Sequence, residues 1–360
     1  MTSTDARSET AEARRESVAE VRTKVVARLV GDRVPDEHAS WTADWLIDSD
    51  LTGVVSHGLR QLPRYVERMR NGGTNPQPEM TIVRGREAAF VVDGDNGLGP
   101  VVATWTMHQL IERARRVGAS TATVFHSNHL GALAYLARLA AAERMAVFAC
   151  QNTRRNTIVW GGRHAGLGNN PVMWGLPLAG GASAVLDIAS SRMAQGTVKH
   201  AENRGLTLPE GMALDERGEP TTDPSAALRG GLMPFGEHKG SGIAFFAGAL
   251  SGVLSGANFG RAVPNPSDFS QARSIGHYIA VVDIEALMDW DVYLERFDEY
   301  VTDIKTGPAG AVDAAVRVPG ERAHAQRQQS MTDGIVVEDA VAALLDRGEI
   351  VNELEVGARP

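Results

Sequence analysis

Residues 119–152 read ASTATVFHSNHLGALAYLARLAAAERMAVFACQN, and the parsing of that stretch decides the fold. ASTATVF is rich in β-branched and apolar residues and predicts a strand. GALAYLARLAAAERM spaces its leucines and alanines as a helix does, and AVFACQN returns to a strand. With SAVLDIA at 183–189 as the next strand, the β-α-β alternation taken alone predicts a parallel, doubly wound sheet.

Upstream, 100–117 reads as a helix, and TIVRGREAAFVVDG predicts a hairpin turning at Arg84-Gly85-Arg86. A helix is expected from near Pro35 to about Asp48, with Asp36 and Glu37 at its positive end. Another is expected from Ala11 to Leu29, stopped by Gly31, behind a disordered segment 1–10. Downstream, 190–202 should be helical and 203–235 rich in turns, with DERGEPTTDP a surface loop. The glycine-studded segment from about 239 to 256 reads as a packed internal helix rather than a membrane span. A strand at HYIAVVDI, a helix over 285–304, a short run at 316–319 and a helix over 337–345 complete the chain.

At 360 residues more than one core is expected. Acidic residues outnumber basic ones by 44 to 36, and the net charge of -8 argues against nucleic acid or an anionic membrane as partner. A small molecule is the better expectation. Cys150 is the only cysteine; in AVFAC it reads as an inert core thiol and fits a cytoplasmic protein. The polar N-terminus MTSTDARSETAEARRES lacks a signal-peptide core.

The common nucleotide fingerprints, G-x-G-x-x-G after a strand and the P-loop, are absent, as is the nucleophile elbow. Glycine-rich fragments at 93–100, 160–171 and 238–242 would serve either as turns or as backbone cradles for phosphate. His126 and His129 stand three apart without a third ligand nearby, so no metal is expected. His57, in SHGLRQLPRY, is either a turn cap before a helix starting near Leu62 or a proton-transfer group. Asp187 is a carboxylate in an apolar run and needs a partner: a cofactor, an imidazole, or the start of the helix that follows.

Seven collinear stretches change the odds: SHGLRQLPRY at 56–65, NGGTNP at 71–76, SNHLGALAYLA at 127–137, GLGNNP at 166–171, VLDIASS at 185–191, LDERGEPTTDP at 214–224 and HKGSG at 238–242. Together they resemble the malate/L-lactate dehydrogenase family of the second, non-Rossmann type, which includes sulfolactate, ureidoglycolate and diketogulonate oxidoreductases and cyclic-imine reductases. The resemblance implies an α/β fold with a mostly antiparallel central sheet in the nucleotide-binding domain, plus a helical and mixed domain built from both chain ends. The corresponding division is 11–95, a central NAD(P)-binding region 96–275, and a returning part 276–360. It also implies a homodimer with active sites at the subunit interface.

The activity implied is hydride transfer between NAD or NADP and a small 2-hydroxy or 2-oxo acid, ketone or cyclic imine. His57 matches the proton donor, and His129 and Asp187 are expected beside it. Cofactor contacts fall on Asp187, Ile188, Ala189, Ser190 and Ser191, on His238 and Lys239, and on Gly320, Glu321 and Arg322. Substrate contacts fall on Arg60, Gln61, Asn128 and His129. One departure matters: many members carry arginine four residues after the histidine, where this chain has Gln61, with Arg60 one residue early. Either the substrate depends less on a carboxylate grip there, or Arg60 supplies the grip through an irregular turn. Two other readings compete: a metal-dependent lyase or hydrolase using His126, His129 and His164, and a non-catalytic nucleotide-binding relative.

Overall fold

The computed structural model describes residues 14–306 and 316–350, so the expected disorder of 1–10 and a helix start at Ala11 lie outside the described residues. The strand, helix and strand of the central stretch form as Ala119–Ser127, Ala134–Ala142 and Met145–Gln151. The two strands run parallel, as a β-α-β unit requires, yet they are not neighbours. Ile275–Asp283 lies between them and pairs antiparallel with both, Ile279 facing Ala122 on one side and Ala149 on the other.

The resulting sheet has seven strands in the order Thr81–Arg86, Ala89–Asp93, Ala119–Ser127, Ile275–Asp283, Met145–Gln151, Val172–Pro177, Ser183–Ile188. Only Ala89–Asp93 and Ala119–Ser127 pair in parallel, across the helix Gly99–Val117. The antiparallel expectation therefore holds, and the parallel sheet suggested by periodicity alone does not. A division at 95 and 275 does not follow this sheet either: the hairpin 81–93 forms one edge and Ile275–Asp283 its middle.

The helices Gly99–Val117 and Ala134–Ala142 bury one face on the sheet around Met107, Leu110, Leu136, Val147 and Met173. A second core joins Val21, Val25, Leu46, Leu62 and Val66 to Ile335, Val337 and Leu344, so the two chain ends share one interior. The first helix starts at Val18, where Ser17 Oγ accepts from the Glu20 amide and the Glu20 carboxylate accepts from the Ser17 amide, a capping box. Before it, Arg14–Glu16 pairs antiparallel with Ile335–Val337 instead of lengthening the helix. A smaller five-stranded sheet, made by Arg155–Ile158, Ala165–Gly168 and three two-residue strands, forms a separate lobe.

The segment read as an internal helix is helical over His238–Gly248 and continues as a π-helical turn, Ala249–Val253. It is not internal. Ala244, Ala247, Ser251 and Gly252 are buried, but Phe245, Phe246, Val253 and Leu254 are 59 to 67% exposed. Apolar side chains all round a helix signal two covered faces, and the sheet covers one. No helix among the described residues is long and apolar enough to cross a membrane. Cys150 is buried, and burial pushes its thiol up to about 12, in line with an inert core cysteine.

Trp45, on the helix Asp36–Leu51, is fully buried in the sheet-side core while most of that helix packs into the core of the chain ends. Its indole Nε1 donates to Ala132 O at 2.9 Å, tying the chain-end helices to the turn after His129. Trp45→Phe keeps most of the apolar volume and leaves that buried carbonyl unpaired, a cost of about 1–3 kcal/mol. A lowered urea midpoint with an unchanged far-ultraviolet circular dichroism spectrum is the expected result.

Candidate active site

A cleft of about 1140 Å³ runs between the sheet, the five-stranded lobe and the chain-end helices. It exceeds the roughly 300–1,000 Å³ of an ordinary small-molecule site and has room for a dinucleotide with a small acid. In a chain of net charge -8, eleven arginine and lysine residues line it against three aspartates and glutamates. The cleft favours anions.

His57 ends a short 3-10 turn, Val55–His57, ahead of the helix Leu62–Arg70. Asp50, half-buried beneath that turn, accepts the Leu59 amide at 2.8 Å. Gly58 rests on the same carboxyl so closely that any Cβ would collide with it, which is why a glycine follows the histidine. Ser56 Oγ lies 2.9 Å from His57 Nδ1 and holds the ring. Burial lowers the imidazole below its usual range, so it is neutral near pH 7.

His129 stacks on His57 with ring centroids 5.6 Å apart and an interplanar angle of 28°. The Tyr65 hydroxyl stands 3.2 Å from His129 Nδ1. Burial first, then the charges of His57, Arg273 and Arg64, holds His129 well below the usual histidine value. Asn128 spends its amide N–H groups on Asn96 and Gly97 at 2.9–3.2 Å, leaving a buried Oδ1 without a partner in the cleft wall.

Asp187 lines the cleft, but its Oδ2 accepts the Ala134 amide at 2.9 Å. It is a helix cap, of Ala134–Ala142 rather than of the helix that follows it in sequence, and it bonds no imidazole. Burial raises this carboxyl to about 6 against those backbone bonds. Ala189 lines the cleft and Ile188 does not; the Ser190 and Ser191 hydroxyls donate to Asn169 O and Met193 O. Gly320 and Arg322 line the cleft, and a Cβ on Gly320 would strike Ser183 O, because the turn lies along that strand. Glu321 instead pairs with Lys305 and accepts the Val318 amide. His238 and Lys239 do open a helix, but they are exposed and do not line the cleft.

Arg60 corrects the substrate expectation. Its guanidinium grips Glu338 on the far chain end, with Nε 2.7 and 2.8 Å from the two carboxylate oxygens, and it does not line the cleft. Gln61 does line the cleft and donates to Ser56 O at 2.7 Å. Other cations do line it: the charges of Arg64 and Arg273 bear on His129, and Arg68 and Arg154 stand near Arg273. Arg64 was visible in the quoted motif, and Arg68 follows at helical spacing. Arg154 and Arg273 sit in no motif, so only the tertiary fold reveals them. The metal trio does not assemble: His126 is exposed beside Asp93 at 3.1 Å, whereas His129 and His164 line the cleft.

Comparison with known proteins places this geometry. The family description "Malate/L-lactate dehydrogenase" matches residues 17–346. The L-sulfolactate dehydrogenase of Methanothermobacter thermautotrophicus is 33% identical over 86% of this chain and 89% of its own. The L-lactate dehydrogenase of Cupriavidus necator is 34% identical over 89% and 92%. The solved structure of sulfolactate dehydrogenase from Methanocaldococcus jannaschii superposes with a TM-score of 0.85 at 31% identity, covering 95% of this chain and 98% of that one.

Asp50 gives the site a pH-dependent foundation. Burial raises its carboxyl to about 7, assisted by Glu338 and opposed by the Leu59 amide and Arg60. Because the native value lies above the unfolded one of about 3.9, the folded state holds the extra proton between them. That stabilisation is complete below about pH 4 and is lost as pH rises to about 7. Asp50→Asn keeps an acceptor for Leu59 without the charge, so its urea midpoint should fall less than the wild type's between pH 5 and 8. Parallel pH dependences would remove Asp50 from this role.

Proposed function

The chain belongs to the malate/L-lactate dehydrogenase family, and we propose that His57 is the proton donor of its NAD(P)-dependent hydride transfer to and from a small 2-oxo acid, ketone or cyclic imine. The observation that supports this most directly is the stacked pair His57 and His129 at the floor of a cationic cleft, with Ser56 and Tyr65 each on an Nδ1. A nicotinamide, when bound, supplies or accepts the hydride. Asn128 Oδ1, a buried acceptor with no partner, suits a carboxamide N–H, and the surplus cations suit the cofactor phosphates. The donor set fits the cofactor without choosing NAD or NADP.

In reduction, His57 delivers a proton to the oxygen or nitrogen that hydride transfer leaves electron-rich. His129, kept neutral, holds that atom by hydrogen bonding, and Tyr65 fixes its ring. In oxidation His57 takes the proton back. In this reading Arg273 and Arg64, whose charges bear on His129, take the substrate carboxylate in place of the arginine absent at Gln61. Asp187, Ala189, Gly320 and Arg322 form the cofactor-side wall in this reading, with Asp187 setting the helix Ala134–Ala142 rather than touching a reacting atom.

A second copy of the chain fits the exposed face of Phe245, Phe246, Val253 and Leu254, which is too apolar for a monomer's surface. His238 and Lys239, at the start of that same helix, then lie at the subunit boundary and reach a cofactor only from across it.

His57→Ala is expected to lower turnover about 10²–10⁴-fold with the circular dichroism spectrum intact. Since burial lowers the imidazole, kcat/KM for reduction should fall as pH rises, from a break below the ordinary value of about 6.5, while oxidation rises in mirror image. A variant retaining full turnover, or a reductive break above 6.5, contradicts the assignment. Phe246→Glu should move the protein from dimer to monomer in light scattering; an unchanged mass would place the interface elsewhere.

A further inference from the structure

The turn that carries Asn128 and His129 is aimed by an irregularity in the strand before it. Ile275 faces Ser127 and His277 faces Val124, so Phe125 and His126 together stand opposite Gly276 alone. This is a β-bulge, which bends its strand and re-aims the side chains that follow. His126 takes a φ of 48°, a left-handed backbone that a residue with a Cβ adopts only at a cost. On the far edge the Gly94 amide donates to Phe125 O at 2.9 Å and the Asn96 amide to His126 O at 2.8 Å. Ser127, the first residue past the bulge, is fully buried, and its hydroxyl meets His277 Nε2 at 2.7 Å. Gln151, opposite His277 on the next strand, accepts the Leu130 amide at 3.0 Å, so one row of buried side chains takes both ends of the turn 127–130.

Packing alone does not call for an imidazole at 277. The residue is fully buried and does not line the cleft, and an aliphatic side chain would fill the space with no polar group to desolvate. Its Nδ1 makes no hydrogen bond of ordinary geometry, with only the Gly276 carbonyl beside the ring favouring a proton. We propose that His277 is a positioning residue: through Ser127 Oγ it locks the end of the bulge and so fixes the direction in which the next turn presents His129 to the reacting atom. This rests on the hydride-transfer reading above, in which His129 holds the atom that His57 protonates. The other contacts of the His129 ring, the Tyr65 hydroxyl on Nδ1 and the stack on His57, are made at its tip and do not set the backbone that carries it. Displacing such a group by about 1 Å costs up to about 10²-fold in rate.

The test is a double-mutant cycle of Ser127→Ala and His277→Leu in the full chain, assayed with NADH and with NADPH on a panel of small oxo acids and cyclic imines. Each single variant should lower kcat by about 10- to 100-fold while the KM for cofactor stays within about twofold. The double variant should lose no more than the worse single, because both changes remove the same contact. His277→Gln, whose amide reaches about as far as imidazole Nε2, should recover most of the loss. Should His277→Leu fail to fold, Ser127→Ala removes one oxygen only and carries the test. Losses that multiply in the double variant, or a lowered melting temperature with kcat unchanged, would overturn the assignment. Modification by diethyl pyrocarbonate, mapped on peptides by mass spectrometry, reads His129 without turnover: its rate should rise severalfold in Ser127→Ala, while the exposed His108 reacts as in wild type. A faster His129 in a protein whose wild type turns over nothing on the panel would uphold the positioning and sink the hydride-transfer reading. Wild-type turnover, with kcat and the His129 rate unmoved in the variants, would do the reverse.

Discussion

A strand hydrogen-bonded on both sides to neighbours that run the same way has only two orientations available, and Ile275–Asp283 takes the antiparallel one against both Ala119–Ser127 and Met145–Gln151. The active-site wall follows from that insertion. Gly276 enters beneath Asn152, donating to its Oδ1 at 2.7 Å, and a Cβ there would drive into Ser251 O. His277 meets Ser127 Oγ at 2.7 Å, fully buried, and burial takes its imidazole down to about 3. Two residues before the strand, Arg273 is thereby set beside His129, just past the end of Ala119–Ser127. Sheet pairing and cleft electrostatics are one placement.

The elements of this fold were legible because each obeys a local rule: helical spacing in 134–142, a hairpin over 81–93, although it turns at Glu87-Ala88 while Gly85 stays in the strand opposite Phe90, and a negative first turn in Asp36–Leu51. Their neighbours were not. A β-α-β pattern specifies that two strands agree in direction, but nothing in residues 119–152 announces that a strand from 275 will come between them. The helix His238–Gly248 misled for a related reason, since an apolar residue set does not say which of its faces the sheet will cover.

The candidate site divides in the same way. His57, His129 and Asn128 lie in contiguous motifs and line one cleft, while Asp187 accepts an amide 53 positions upstream, a partner that its own stretch of sequence does not announce. Arg60 and Gln61 show the limit of counting residues: two successive 3-10 turns, Val55–His57 and Leu59–Gln61, send the first outward to Glu338 and keep the second in the cleft. This acidic chain nonetheless gathers cations in its cleft, and some of them, Arg138, Arg163 and Arg229 among them, are paired with Asp48, Glu219 and Glu216. Low dielectric at that floor makes each unmatched charge count for more than it would in water.

The pairing of Arg14–Glu16 with Ile335–Val337 has a consequence for synthesis. The helices around His57 complete their interior with Ile335, Val337 and Leu344, and Arg60 waits for Glu338. A nascent chain emerging from its N-terminus exposes Val21, Val25, Leu46 and Leu62 for nearly the whole of translation before these partners appear. All seven strands of the large sheet are made by residue 283, before any of these partners. The turn that carries His57 thus completes its packing with the part of the chain that the ribosome makes last.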